Sequence, residues 1–216
     1  MDDLKDVKER LALPTGALAS AILSLVRSSE SPAIADHSIR SFLFARLLAE
    51  REGCLRDAAY DEDLLFAACV LHDLGLGTQA PGQARFEVEG ADLAAELLTE
   101  HGVAAPDIDR IWEAIALHSS LGIADRRGLL TSLTHRGVFI DAGYFADTLA
   151  AEQKQQVYAA YPRPAGDRSL RDAIVEHAAR SEAAAPPYSI AAELLRLQRA
   201  AADTGSVPQS AATISG

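Results

Sequence analysis

From Leu64 to Leu71 the chain repeats apolar residues at helical spacing, with Leu64, Leu65, Ala68 and Leu71 on one face, and the run ends on two ionisable neighbours, His72 and Asp73. A helix with such a face is drawn into a core. Burying a carboxylate without a partner costs on the order of several kcal/mol. Asp73 therefore needs a cation beside it, and a metal ion would satisfy imidazole and carboxylate together. Adjacent helical residues diverge by about 100° around the axis. His72 and Asp73 can share an ion only if it lies beside the helix, between their directions, so other helices must complete its shell.

The rest of the chain is equally helical in pattern, and Ala, Leu, Arg and Glu outweigh Val and Ile, which favours helix over strand. Helices are expected from about Thr15 to Ser29, from Ser31-Pro32 to Glu52, and from Asp61 to the glycines Gly75 and Gly77. Others are expected at Val88–His101, Pro106–His118, Arg127–Tyr144, Ala150–Tyr161, Ser169–Arg180 and Ser189–Ala201. No strand ladder is apparent. The 216 residues suit one sizeable core and are few for two. With 49% hydrophobic and 24% charged residues the chain has the composition of a packed domain. The expected fold class is all-α, a single-domain helical bundle of eight or nine helices. Residues 1–30 supply N-terminal helices, 31–147 the metal-binding core, 148–202 further helices of the same domain, and 203–216 a disordered tail.

A net charge of -11 without a basic patch argues against nucleic acid as a partner. Only Lys5, Lys8 and Lys154 are lysines, so an anion near the middle of the chain would have to be met by arginine or backbone amides. Cys54 and Cys69 have neither the number nor the spacing of a disulfide framework or zinc ribbon and read as reduced, buried small hydrophobes. The most apolar early stretch, Ala17 to Val26, is too short to span a bilayer, and Met1 to Arg10 lacks a signal peptide's basic start. No membrane association is expected, and the cytoplasm is the expected compartment; self-association as a homo-oligomer is left open.

Two further donors stand out. His37 sits mid-helix with Arg40 and Phe44 at i+3 and i+7, so imidazole, guanidinium and ring share a face. Asp141 interrupts the apolar run Gly137-Val138-Phe139-Ile140. The expected shell is therefore His37, His72, Asp73 and Asp141, a mixed nitrogen and oxygen set that suits one zinc, iron, manganese or cobalt ion better than magnesium. His101, His135 and His177 read as ordinary, partly exposed histidines.

The order His37, then His72-Asp73, then Asp141 resembles the HD superfamily of metal-dependent hydrolases, an all-α fold with that ligand signature. Four neighbouring motifs occur in series between Ser31 and Asp147: His37-Ser38-Ile39-Arg40-Ser41, Leu71-His72-Asp73-Leu74-Gly75, Phe86-Glu87-Val88-Glu89-Gly90-Ala91 and Ala114-Ile115-Ala116-Leu117-His118-Ser119. Together they look like the cyanamide hydratase family, with Ser119 where threonine is expected more often. The resemblance implies a zinc-bound water or hydroxide adding across the C≡N bond of cyanamide to give urea, or of a small nitrile to give its amide. On this reading His118, on the face of Ile111 and Ile115, shuttles a proton or binds substrate, with Ser119 as a second polar contact. Arg40 joins the catalytic group, or else is a structural salt-bridge partner. Phe44 and Phe86 contact a small neutral substrate, Phe86 closing the pocket, and Glu87 and Glu89 favour a helix start.

Two other functions compete. An HD phosphohydrolase would have to meet the phosphate charge, with Arg40 and Arg85 as candidates, although the segments around His72 and His118 are largely apolar. A non-catalytic helical module would keep the same shell as a closed structural metal site.

Overall fold

The computed structural model describes residues 10–163 and 168–203, so the expected tail from 204 onward lies outside the described residues. Nine α-helices occur among the described residues, and no strand. They are α1 (Ala17–Ser29), α2 (Pro32–Arg51), α3 (Glu62–Leu71), α4 (Phe86–Glu100), α5 (Ala105–Leu117), α6 (Leu129–Asp141), α7 (Ala151–Ala160), α8 (Ser169–Ala178) and α9 (Ile190–Asp203). The fold is thus the all-α bundle that the composition implies. No described helix is long and apolar enough to cross a membrane.

The helix starts follow local chemistry. Ser31 caps α2 by accepting the Ile34 N–H, with Pro32 in the first turn. The Asp61 carboxylate caps α3 by accepting the N–H groups of Asp63 and Leu64, each at 3.0 Å. In α3 every residue from Leu64 to Leu71 is buried, so this helix is apolar on all sides and runs through the centre. It packs against α1, α2, α5 and α6. Cys69 is wholly buried on it, whereas Cys54 is only half-buried; both are free thiols. A smaller cluster joins Phe86 to Ile174, Ala178 and Ala191 under α8 and α9.

Two of the helix ends that differ from the sequence pattern shape the centre of the molecule. The third helix stops at Leu71 rather than at the glycines, and a short 3-10 turn, Leu74–Leu76, follows. His72 and Asp73 therefore stand at the joint between the two, where the chain changes direction. Helix α6 ends at Asp141 rather than Tyr144, because Gly143 at φ 96° turns the chain out of helical geometry.

Glycine sets how closely the elements around this joint approach. A Cβ on Gly75 would lie 1.9 Å from the Phe86 carbonyl oxygen, and one on Gly90 would lie 3.0 Å from the Gly75 nitrogen and 3.3 Å from the His72 carbonyl oxygen. The start of α4 thus crosses the turn after Asp73 with backbone against backbone. Gly75→Ala should therefore force the two apart. The expected loss is about 1–3 kcal/mol of unfolding free energy, the range for overpacking, measured as a lower urea midpoint; an unchanged midpoint would show that α4 yields without cost.

Candidate metal centre

Three buried donor atoms converge at the end of α3. Nε2 of His37, Nε2 of His72 and Oδ2 of Asp73 have no hydrogen-bond partner among the described residues, although each is shielded from solvent. Donor atoms of these three residues all lie within 4.8 Å of one another. The Asp73 oxygen is 3.2 Å from His72 Nε2 and 3.8 Å from His37 Nε2. Ligands held about 2.0–2.2 Å from a zinc ion stand roughly 3–4 Å apart, so the spacing fits a divalent metal. Leaving three such atoms unsatisfied inside a protein is otherwise costly.

The remaining ring nitrogens account for why Nε2 is the free one. His72 Nδ1 is 2.7 Å from the Cys69 carbonyl, which can only accept, so Nδ1 carries the proton and Nε2 keeps its lone pair. His118 repeats the arrangement with the Ile115 carbonyl at 2.7 Å. For His37 the acceptor is a carboxylate, Asp141 Oδ2 at 2.6 Å from Nδ1.

Asp141, expected as the fourth ligand, is placed one step behind the donor group. Besides the His37 ring it accepts a forked pair from Arg40, Nε to Oδ1 at 2.8 Å and Nη2 to Oδ2 at 2.9 Å. Burial would raise its carboxyl pKa, but the contacts with His37 and Arg40 outweigh burial and hold it well below the ordinary carboxylate range. Arg40 also reaches the carbonyls of Tyr161 and Pro162 through Nη1, so its donors are turned toward Asp141 and the chain before α8.

His118 is brought to the centre. Its ring packs edge-on against His72 with centroids 4.7 Å apart, and its Nε2 is 4.0 Å from Asp73 Oδ1. Burial, then the neighbouring His72, lower its pKa to about 4, so it is a neutral base around pH 7. Phe86 lies edge-on to His118 at 5.6 Å. Ser119 donates to the Glu87 carboxylate, which is also paired with Arg85 at 2.6 Å. Phe44 is placed elsewhere, wholly buried in the main core and edge-on to Tyr158 at 5.5 Å.

Asp73 is likewise held ionised. Burial would raise its pKa, but His72, His37 and His118 together bring it down to about 2. This places an acceptor, not a donor, among the imidazoles.

Two histidines expected to be partly exposed are buried: His135 is 0% and His177 1% exposed, whereas His101 is exposed as expected. His135 Nδ1 donates to the His118 carbonyl at 2.6 Å and so fixes the chain beside the candidate base. Nearly every residue of α6 is buried, and that all-round burial depends on neighbours that its own sequence pattern does not name. Glu87 suits a helix start in sequence, yet its side chain is fully buried beside Ser119.

His72→Ala and Asp73→Ala are expected to abolish stoichiometric zinc binding, measured as metal content after dialysis, while His118→Ala retains it. His118 also makes a pH prediction for the metal-free protein. Its folded pKa of about 4 lies below the ordinary value of about 6.5, so between these values the unfolded chain binds more protons and stability falls as pH falls. Wild type should lose melting temperature more steeply over that window than His118→Asn; parallel curves would contradict the neutral-base assignment.

Among curated proteins none matches this chain. The family model of the HD domain matches residues 34–184, which take in His37, His72, Asp73, His118 and Asp141 and continue through α8. HD domains are in general metal-dependent hydrolases, and the His37, His72 and Asp73 group can hold such a metal. With most of its length covered by that match, this chain belongs to the HD domain family.

Proposed function

We propose that the protein adds water across the C≡N bond of a small neutral substrate, converting cyanamide to urea or a related nitrile to its amide. The observation that carries this reading is how the two arginines that could meet a phosphate, Arg40 and Arg85, are used. Arg40 is spent on Asp141, and Arg85 is spent on Glu87. A phosphomonoester needs a free guanidinium or comparable donors for its charge, and these two candidates are already paired with carboxylates. The apolar ring of Phe86 and the neutral ring of His118 instead form walls suited to a small uncharged molecule.

His37, His72 and Asp73 would hold the divalent ion, zinc being the expected one, with Asp141 setting the proton and orientation of the His37 ring from behind. When bound, such an ion activates water near neutral pH and polarises a nitrile nitrogen. In the overall reaction the water oxygen bonds to the nitrile carbon, and both water protons finish on nitrogen in the urea or amide. His118 suits this traffic: its Nδ1–H is engaged with Ile115, so Nε2 is the atom that accepts a proton and returns it to nitrogen. Ser119, held by Glu87, offers a hydroxyl to orient the substrate, and Phe86 limits its size. A group of three protein donors also favours catalysis over a closed structural site, which would use four.

Urea formation from cyanamide, assayed with chelator and after zinc is restored, tests the proposal beside a generic phosphatase substrate. Urea release that chelator stops is the expected result; phosphate release alone would transfer the chain to the HD phosphohydrolases. His118→Ala should lower kcat by roughly 10²- to 10⁴-fold with metal content kept. Unchanged turnover in that variant would remove His118 from the proton path.

A further inference from the structure

The corner between α1 and α2 buries an acid that the His37, His72 and Asp73 group does not use. Glu30 follows the last residue of α1, its N–H bonded to the Val26 carbonyl, and Ser31 then opens α2. The carbonyl of the preceding residue, Ser29, accepts the Thr78 N–H at 2.9 Å, and a Cβ on Gly77 would lie 3.0 Å from that same oxygen. The corner is therefore seated on the turn that leaves His72 and Asp73. Glu30 is 8% exposed, and both its carboxyl oxygens are buried with no hydrogen-bond partner among the described residues. The charge that acts on it is another acid: burial first, and Asp73 second, push its pKa well above the ordinary range.

Two buried acids, each with an oxygen that no described group satisfies, call for a positive charge nearby. Arg40 and Arg85 are engaged with Asp141 and Glu87. The unsatisfied atoms of His37, His72 and Asp73 gather at the end of α3, and the corner that carries Glu30 is joined to the turn after Asp73 by the Thr78–Ser29 hydrogen bond. A divalent ion held by two neutral imidazoles and Asp73 keeps one positive charge uncompensated, and one further carboxylate would balance it. Glu30 is not one of the residues whose donor atoms gather within 4.8 Å, so its place is beyond the inner ligands.

We propose that Glu30 belongs to the metal centre as an outer carboxylate, which reaches the cation through a hydrogen-bonded water and balances its second charge. The inference rests on the metal-centre reading and adds to it a residue from outside the ligand motif. Carboxylates in this position orient what the metal binds and strengthen its retention.

The test is Glu30→Gln, which keeps the shape and removes the charge, with Glu30→Asp and His72→Ala in parallel. Zinc affinity is measured by competition with a chromophoric chelator, and melting temperature with and without zinc. Glu30→Gln should bind zinc about 10- to 100-fold more weakly, while its metal-free form melts no lower than metal-free wild type, so the rise produced by zinc shrinks. Glu30→Asp should fall between the two in affinity. Wild-type zinc affinity in Glu30→Gln overturns the proposal. So does a metal-free variant that is unfolded or melts lower with an undiminished zinc response, since that marks a structural acid. If His72→Ala abolishes binding and Glu30→Gln does not, Glu30 alone is removed; if wild type binds no zinc, the metal centre falls with it.

Discussion

Arg40 and Asp141 are 101 residues apart in sequence and meet in the interior, fork against carboxylate, on α2 and α6. Removing either partner would leave the other charge buried and alone, a cost of about 3–5 kcal/mol. The two helices come close enough for this because α6 carries Gly137 at the contact, where a Cβ would lie 2.4 Å from the Ser41 carbonyl oxygen. The same Asp141 carboxylate also accepts from His37 Nδ1, and that contact turns Nε2 toward His72 and Asp73. The joint that fastens α2 to α6 is therefore also what selects the ligand atom of His37. Packing and chemistry share one ion pair.

The other two imidazoles are set by helix ends. His72 follows the last residue of α3 and His118 the last of α5, and each bonds back to a carbonyl three residues earlier, Cys69 and Ile115. The Cys69 carbonyl accepts the His72 ring N–H, and the Ile115 carbonyl accepts both the backbone and the ring N–H of His118. The arrangement satisfies a backbone acceptor, fixes the tautomer and aims Nε2 away from the helix. Helix termination is thus part of how the site is built.

The helical pattern around Leu64 to Leu71 makes its own break at His72 and Asp73 legible in the sequence, because a polar pair that ends an apolar face must be satisfied inside the core. His37 and Asp141 are visible for the same reason. Their mutual contact is not, since it depends on how two distant helices pack. Glu30 stands in the segment Ser28-Ser29-Glu30-Ser31-Pro32, which has the composition of a solvated helix junction; its burial comes from the turn at Gly77 and Thr78, far along the chain. His135 is obscured by α6, whose polar residues are buried along with its apolar ones. Phe44 shares a helical face with His37 and Arg40 in sequence, and its ring packs on Tyr158, the same ring that lies under the Arg40 guanidinium, a contact that depends on where α7 docks.

The acids at the start of α4 show why composition alone misjudges such an interior. Glu87 and Glu89 both satisfy the preference for acids in a first turn, yet both are buried and each has a task of its own. Glu89 accepts the N–H groups of Gly82, Gln83 and Ala84 at 2.9, 2.6 and 2.8 Å and so clasps the loop that leads into the helix. Glu87 takes Arg85 and the Ser119 hydroxyl. With Asp141 on Arg40, three of the buried acids are satisfied by protein groups that can be named. Asp73 and Glu30 are left, each with a buried oxygen that no described group satisfies, Asp73 among imidazoles whose protons are given to other acceptors and Glu30 with its pKa raised by burial and by the Asp73 charge. Neutral imidazoles in that tautomer offer lone pairs rather than hydrogens, and Asp73 Oδ2 stands 3.2 Å from His72 Nε2; a cation answers carboxylate and imidazoles together, and that is the physical reason to read this cluster as a metal centre.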